Sequence, residues 1–268
     1  MPRCLLQSSA AVVLVLLPSV CATADATTSR LLSWILKNGG GANVRAGISN
    51  GLRGLVVERA CAVGDVILEV PLSLAISDGG DSEPLAGAAP EWTWKLPWNV
   101  QLAVAVLERK RLGTDLDEAD DPFLDSWPKT PPPLPTTCES AELALASDPS
   151  LEEKAGEAFF WLDEQYWVAR EAAAASQGCS VEAVDFPEAP AFREAMELVW
   201  SRCLRITAGA HGVRRVLVPL LDLANHEACP SAMYAFASGA RCAYRLCVRS
   251  VCAVCTVCAY ANARPVSA

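Results

Sequence analysis

Histidine is almost missing. His211 and His226 are the two in 268 residues. General acid–base catalysis relies on histidine more than on any other side chain, so few such sites can be assembled, and no serine-hydrolase triad is expected. Basic charge is also short: 22 Lys and Arg stand against 31 Asp and Glu, for a net charge of −9. That sign makes nucleic acid a poor candidate partner. No apolar run reaches the ~20 residues that span a bilayer, so no membrane span is expected. No internal repeat is visible, which removes repeat architectures. What is plentiful is apolar material, at 52% against 20% charged, with eight tryptophans. A chain of that composition can bury a core and does not read as disordered.

The first residues follow the order of a secretory signal. Arg3 gives a positive start, Ala10 to Leu17 is an apolar run, Pro18 breaks it, and small residues follow at Ala22 and Ala24. Residues 1–24 are read as a signal peptide. Thr27, Thr28, Ser29 and Arg30 leave room for a second, transit-like signal, so the expected destination is the secretory pathway or a plastid. Twelve cysteines would suit an oxidising compartment. Their scatter, and the crowding of Cys242, Cys247, Cys252, Cys255 and Cys258 near the end, argue against a disulfide framework.

Periodicity predicts helices over Ala26–Leu36, Val100–Leu112, Leu151–Ser176 and Phe192–Leu204. In the third, Phe159, Leu162, Tyr166 and Ala169 share the apolar face. Asn38 to Gly41 ends the first helix. In the second, Asn99 is expected to cap the start and Gly113 the end. Strands are predicted over Gly54–Glu58, Val66–Val70, Ser73–Ser77 and Val213–Pro219. Pro122 to Pro135 reads as extended. Asp115, Asp117, Glu118, Asp120, Asp121 and Asp125 form the densest acidic run, either a solvated loop or a docking patch for a basic substrate. Strands, then helices, then strands predict an α+β fold with a helical insertion.

Two segments carry chemistry. Gly47-Ile48-Ser49-Asn50-Gly51-Leu52-Arg53-Gly54-Leu55 opens a strand, and its glycines let backbone groups approach a ligand. It lacks the following helix that a dinucleotide loop requires. Alone it is equally an ordinary turn. Val216 to His226 is a hydrophobic strand that delivers Asp222, Asn225 and His226 to one tight turn. Asparagine offers both an acceptor and a donor, which suits a zwitterionic ligand head. Alone this segment is equally a buried polar turn that satisfies its own backbone.

Taken together, with "VILEVP", "DPFLDSWPKTPPPLP" and "FREAMELVWSRCLRI" between them, these segments resemble the SET-domain protein methyltransferases of the Rubisco large-subunit lysine methyltransferase and actin-histidine methyltransferase group. The resemblance runs from about Leu31 to Phe236. It implies a SET domain of small twisted sheets with a helical insertion, binding S-adenosyl-L-methionine and methylating a lysine, or alternatively a histidine, of a protein substrate. By the same resemblance Gly51, Leu52, Arg53 and Gly54 form the backbone platform for the cofactor. Asn225 and His226 contact its methionine and adenine parts. Arg202 and Asp222 line the substrate side.

The chain also departs from that group. No "GE…Y" segment with a catalytic tyrosine follows Phe236, so the catalytic residue is unknown and the C-terminal part of the domain is expected to be missing. Residues 237–268 hold four arginines and no acid and read as an atypical Cys-, Arg- and Ala-rich tail, a readthrough or misjoined exon. Cys252, Cys255 and Cys258 could reach a fourth ligand in Cys242 or Cys247, but the group has no such cluster, and no metal is expected. The expected division is 1–24 signal, 25–90 first SET part, 91–190 insertion, 191–236 cofactor-binding part and 237–268 tail. The alternative to an enzyme is a non-catalytic, truncated SET-like binding module or a gene-model fragment.

Overall fold

Strand formation starts where a helix is stopped. In the computed structural model, which describes residues 26–49, 52–79, 88–115, 121–127, 134, 138, 140–145, 148–208, 211–224, 232–237, 243–248 and 256–257, helix α1 (Ala26–Lys37) buries Leu31 and Ile35 one turn apart. Gly39 then takes φ +87°, and the Gly40 N–H returns to the Ile35 carbonyl. A Cβ on Gly40 would stand 2.5 Å from Ile35 Cγ2 and 2.6 Å from the Glu69 carbonyl, so the turn requires glycine on space as well as on conformation.

The strands that follow are β1 (Gly41–Ala42), β2 (Val44–Ser49), β3 (Leu52–Val57), β4 (Val66–Pro71) and β5 (Ile76–Ser77). The later ones are β6 (Leu204–Thr207), β7 (Val213–Leu217), β8 (Ala232–Ala237), β9 (Ala243–Val248) and β10 (Thr256–Val257). They form three small antiparallel sheets, ordered β1-β4-β9-β8, β10-β3-β2 and β5-β7-β6. The four strands expected from the sequence therefore fall into three sheets around one core. The sheets also extend past Phe236. Ala243–Val248 pairs with β4 on one side and β8 on the other, so the expected domain edge at residue 236 cuts through a sheet. Composition hid this strand, because alanine, arginine and cysteine show no strict apolar alternation.

Between β5 and β6 lie α2 (Trp98–Asp115), α3 (Pro122–Asp125), α4 (Ser140–Leu145), α5 (Pro149–Gln177) and α6 (Ala189–Arg202). Helix α2 is buried continuously from Asn99 to Leu107, the behaviour of a central helix and not a surface one. Leu102 and Val106 of α2, Leu162 and Tyr166 of α5, and Phe192 and Met196 of α6 share one hydrophobic cluster with Leu55, Leu68, Val216 and Leu246 of the strands. The helices are thus an insertion seated on the strand core. Residues Ala173, Ala174 and Val184 form a small satellite cluster.

Several local expectations change. Leu72–Leu74 winds into a 3-10 turn after Pro71 at φ −55°, which leaves only Ile76–Ser77 of the expected third strand. Helix α2 starts one residue before Asn99 and runs on through Gly113 to Asp115. The stretch expected to be extended begins with α3, because the Asp121 carboxylate accepts the N–H groups of Phe123 and Leu124 and Pro122 is pre-set for a first helical turn. Helix α6 ends at Arg202, and Leu204 already belongs to β6. Phe159 faces outward, 40% exposed, with the Arg193 guanidinium 4.5 Å from its ring centre.

Candidate functional site

Strand β7 carries the chain into the site. Its last residues are fully buried, and the turn after it is compact: Asp222 N–H reaches the Val218 carbonyl at 3.3 Å, Leu223 N–H the Leu220 carbonyl at 3.0 Å and Ala224 N–H the Leu221 carbonyl at 3.1 Å. Leu220 takes φ +64°, ψ −33°. Among the described residues it is the one non-glycine with positive φ. That conformation costs on the order of 1–3 kcal/mol. Leu220 is 1% exposed, and burying a leucine side chain returns about 1.5–3 kcal/mol. The two terms are of similar size, which accounts for a leucine holding a place that glycine fits conformationally.

The turn brings Asp222 to the end of α6. Arg202 Nη1 donates to Asp222 Oδ2 at 2.5 Å, with the side chains 13% and 2% exposed. The two residues expected on the substrate side are therefore a buried ion pair. Among the described residues Arg202 Nε, also buried, has no hydrogen-bond partner.

The turn Leu221–Leu223 lies beside β3, with Cα atoms of the two within 8 Å. Strands β2 and β3 form a hairpin in which Ser49 faces Leu52, Ile48 faces Arg53 and Gly47 faces Gly54. Gly54 is buried. A Cβ on Gly47 would sit 2.9 Å from Val56 Cγ2, so that half of the glycine pair has no room for a side chain. The hairpin also bears on the letters Gly47-Ile48-Ser49-Asn50-Gly51, which have Gly-x-Ser-x-Gly spacing. A nucleophile elbow needs a strand-to-helix turn, whereas Ser49 ends one strand and leads into another.

Of the residues expected at the site, Leu52, Arg53 and Gly54 lie on β3, and Arg202 and Asp222 meet at the neighbouring turn. Gly51, Asn225 and His226 fall outside the described residues. The chain reaches Ala224, so the Asn-His pair follows directly on the Asp222 turn.

A buried polar network next to the site was not foreseen. Arg214, fully buried, donates from Nη1 to the Gly79 carbonyl at 2.8 Å. Gly79 N–H donates to Gln101 Oε1 at 2.8 Å, and the Gln101 amide donates to the Leu96 carbonyl at 2.8 Å. Asp78 and Arg215 exchange backbone and carboxylate bonds. This network fastens β7 to α2. Beside it the Cys203 thiol is pushed up to about 12, chiefly by burial. A thiol held protonated in this way is no nucleophile, although it neighbours Arg202 in sequence.

The acidic run is partly consumed by structure. Asp121 pairs with Arg109 as well as capping α3, and Asp125 pairs with Arg30. The described cysteines, Cys61, Cys138, Cys179, Cys203 and Cys247, are free thiols. Among the described residues no cluster of three His, Cys, Asp or Glu could hold a metal ion, and no helix is long and apolar enough to cross a membrane.

No family model and no curated protein matches the sequence. Solved structures do match. The SET domain of LSMT bound to lysine and AdoHcy aligns with a TM-score of 0.65 at 18% identity, covering 88% of this chain and 54% of that one. Rubisco LSMT bound to AdoMet aligns with a TM-score of 0.62 at 17% identity, over 89% of this chain and 53% of that one. Rubisco LSMT bound to sinefungin and monomethyllysine gives 0.60 at 18%, over 89% and 53%. The chain thus spans about half the length of the solved structures it matches. Its α+β fold, with small antiparallel sheets and a helical insertion, is the SET-domain fold, similar to that of Rubisco LSMT.

Proposed function

We propose that this chain is a SET-type methyltransferase domain that binds S-adenosylmethionine and acts on a lysine side chain of a protein. The observation that carries the reading is the buried Arg202–Asp222 pair, set on the turn that leads into Asn225-His226 and lying beside β3. The matched structures, solved with AdoMet, with AdoHcy and lysine, and with sinefungin and monomethyllysine, support it. The residues present fit such a cofactor. Arg202 Nε is a buried donor with no partner among the described residues, and a carboxylate is the usual complement of an arginine donor. Gly54 on β3 leaves backbone groups free of a Cβ, as a closely approaching ligand requires.

When bound, S-adenosylmethionine would supply a methyl group carried on a sulfonium, for transfer to a neutral amine. The work left to the protein is alignment and exclusion of water. Asp222 holds the Arg202 guanidinium at one orientation, and burial of both keeps that direction fixed. By the resemblance, Asn225 would provide a donor and an acceptor for the amino-acid head, and His226 would hold the adenine part.

A second reading is favoured by one feature. The tyrosine-bearing segment that the resemblance implies does not occur in the sequence after Phe236. On this reading the chain binds the cofactor and transfers nothing, as an incomplete domain. Calorimetry and a transfer assay with labelled cofactor separate the two readings. Binding is expected in the high micromolar range, about −5 kcal/mol, and Asn225→Ala is expected to abolish it. The second reading expects little or no transfer to Rubisco, histone or actin substrates, and the first expects transfer. Robust turnover would refute the incomplete-domain reading, and equal binding by wild type and Asn225→Ala would refute the assigned cofactor site.

A further inference from the structure

Helix α5 has two faces with different work. Leu162, Tyr166, Ala169 and Ala173 are buried in the domain. The outer side of a helix seated on a core is ordinarily polar all along. Here Glu153, Glu157, Phe160, Glu164, Trp167 and Glu171 follow one another at steps of four and three, and all six are exposed. Steps of four and three place residues on one stripe of a helix. Phe160 is 76% and Trp167 50% exposed. They stand seven residues apart, about 10 Å along the axis, each with glutamates a turn before and after it. Single surface apolar residues need no explanation, but two large aromatics on one acidic stripe form a patterned surface. An open groove lined by Pro149, Gly156, Phe160 and the three glutamates Glu152, Glu153 and Glu157 runs beside its first half. Arg170 stands 5.8 Å from the Trp167 ring centre and is itself bonded to the Tyr166 hydroxyl and the Val181 carbonyl. The indole therefore rests against a fixed side chain.

We propose that this stripe docks a lysine- and arginine-rich amphipathic helix of a partner protein. Two apolar side chains of the partner, seven residues apart, would cover Phe160 and Trp167, and its basic flanks would meet the glutamates. Charge complementarity selects this occupant: an uncharged apolar helix would leave four carboxylates facing it unpaired, and an acidic one would repel them. The surface lies on the insertion and is independent of the cofactor reading.

The test uses the full chain and a labelled helical peptide of about 18 residues, five turns, made of leucine and lysine with the leucines in one stripe. Fluorescence anisotropy at low salt is expected to give saturable binding, weakened by added salt. Phe160→Ser with Trp167→Ser, and separately Glu157→Lys with Glu164→Lys, should each weaken it about tenfold or more. Glu58→Lys with Asp125→Lys makes the same change of net charge elsewhere on the surface and should leave it within about twofold, the scale of surface effects outside a binding site. All the substituted side chains are exposed, and circular dichroism confirms that each variant folds. Equal loss in the stripe and control pairs would show attraction by net charge alone and overturn the proposal. So would unchanged binding in the stripe variants. A wild type that sediments as a dimer and becomes monomeric on Phe160→Ser with Trp167→Ser would assign the stripe to a second copy of the chain and overturn it as well.

Discussion

Arg202 and Asp222 hold opposite charges where water reaches little of either, so their value lies in staying together. Removing one partner of such a pair leaves a buried charge uncompensated and costs about 3–5 kcal/mol. Arg202→Leu should lower stability by that amount in urea denaturation. The double change Arg202→Leu with Asp222→Leu should recover part of the loss, because no lone charge remains. Additive losses in the two single variants and the double would show that the pair is not coupled. Both residues were legible in the sequence as site candidates through the resemblance, but their contact was not. It joins positions 20 apart through the geometry of a turn. Leu220 gave no signal at all, since nothing in a leucine marks a positive φ and only the fold around it imposes one.

Helices were the most legible elements, because their apolar spacing is local and long. Helix α6 is a case in point: Phe192, Ala195, Met196 and Val199 are buried as their spacing requires. The same helix buries Glu197, at 6% exposure. Desolvation holds the Glu197 carboxyl above its ordinary value of 4.5; Glu194 adds to the rise and Arg193 opposes it. A carboxyl that binds its proton more tightly in the folded chain than in the unfolded one stabilises the fold most below pH 4.5. That contribution falls as pH climbs from there through the folded value. Glu197→Gln should therefore raise the melting temperature at pH 7, and its advantage should shrink toward pH 4. A calorimetric difference that is constant between the two pH values would overturn this account. Strands were less legible. β2, β6, β8 and β9 are short, and their places are set by partners far along the chain, which no local pattern records.

At the scale of the molecule, the sheet order β1-β4-β9-β8 makes one late strand indispensable. β9 supplies partners to both neighbours, Leu246 is fully buried in the common core, and Arg245 Nε meets Glu69 Oε2 at 2.5 Å across 176 residues of sequence. Deleting Ala243–Val248 should abolish the cooperative thermal transition and expose apolar surface to a fluorescent dye, while a variant exchanging Glu69 and Arg245 for each other should keep it. A cooperative transition that survives the deletion would show that β9 is dispensable. The order has a consequence for how the chain is made. A ribosome adding about 5–20 residues per second needs on the order of 9–35 s to travel from Glu69 to Arg245. Throughout that interval the nascent chain carries β4 with the hydrogen-bonding edge meant for β9 unfilled. Such an edge pairs with any extended chain it meets. Newly synthesised molecules are thus most vulnerable to misassociation before the last sheet strand emerges, and crowded polysomes, with many chains at the same stage, are where that vulnerability concentrates.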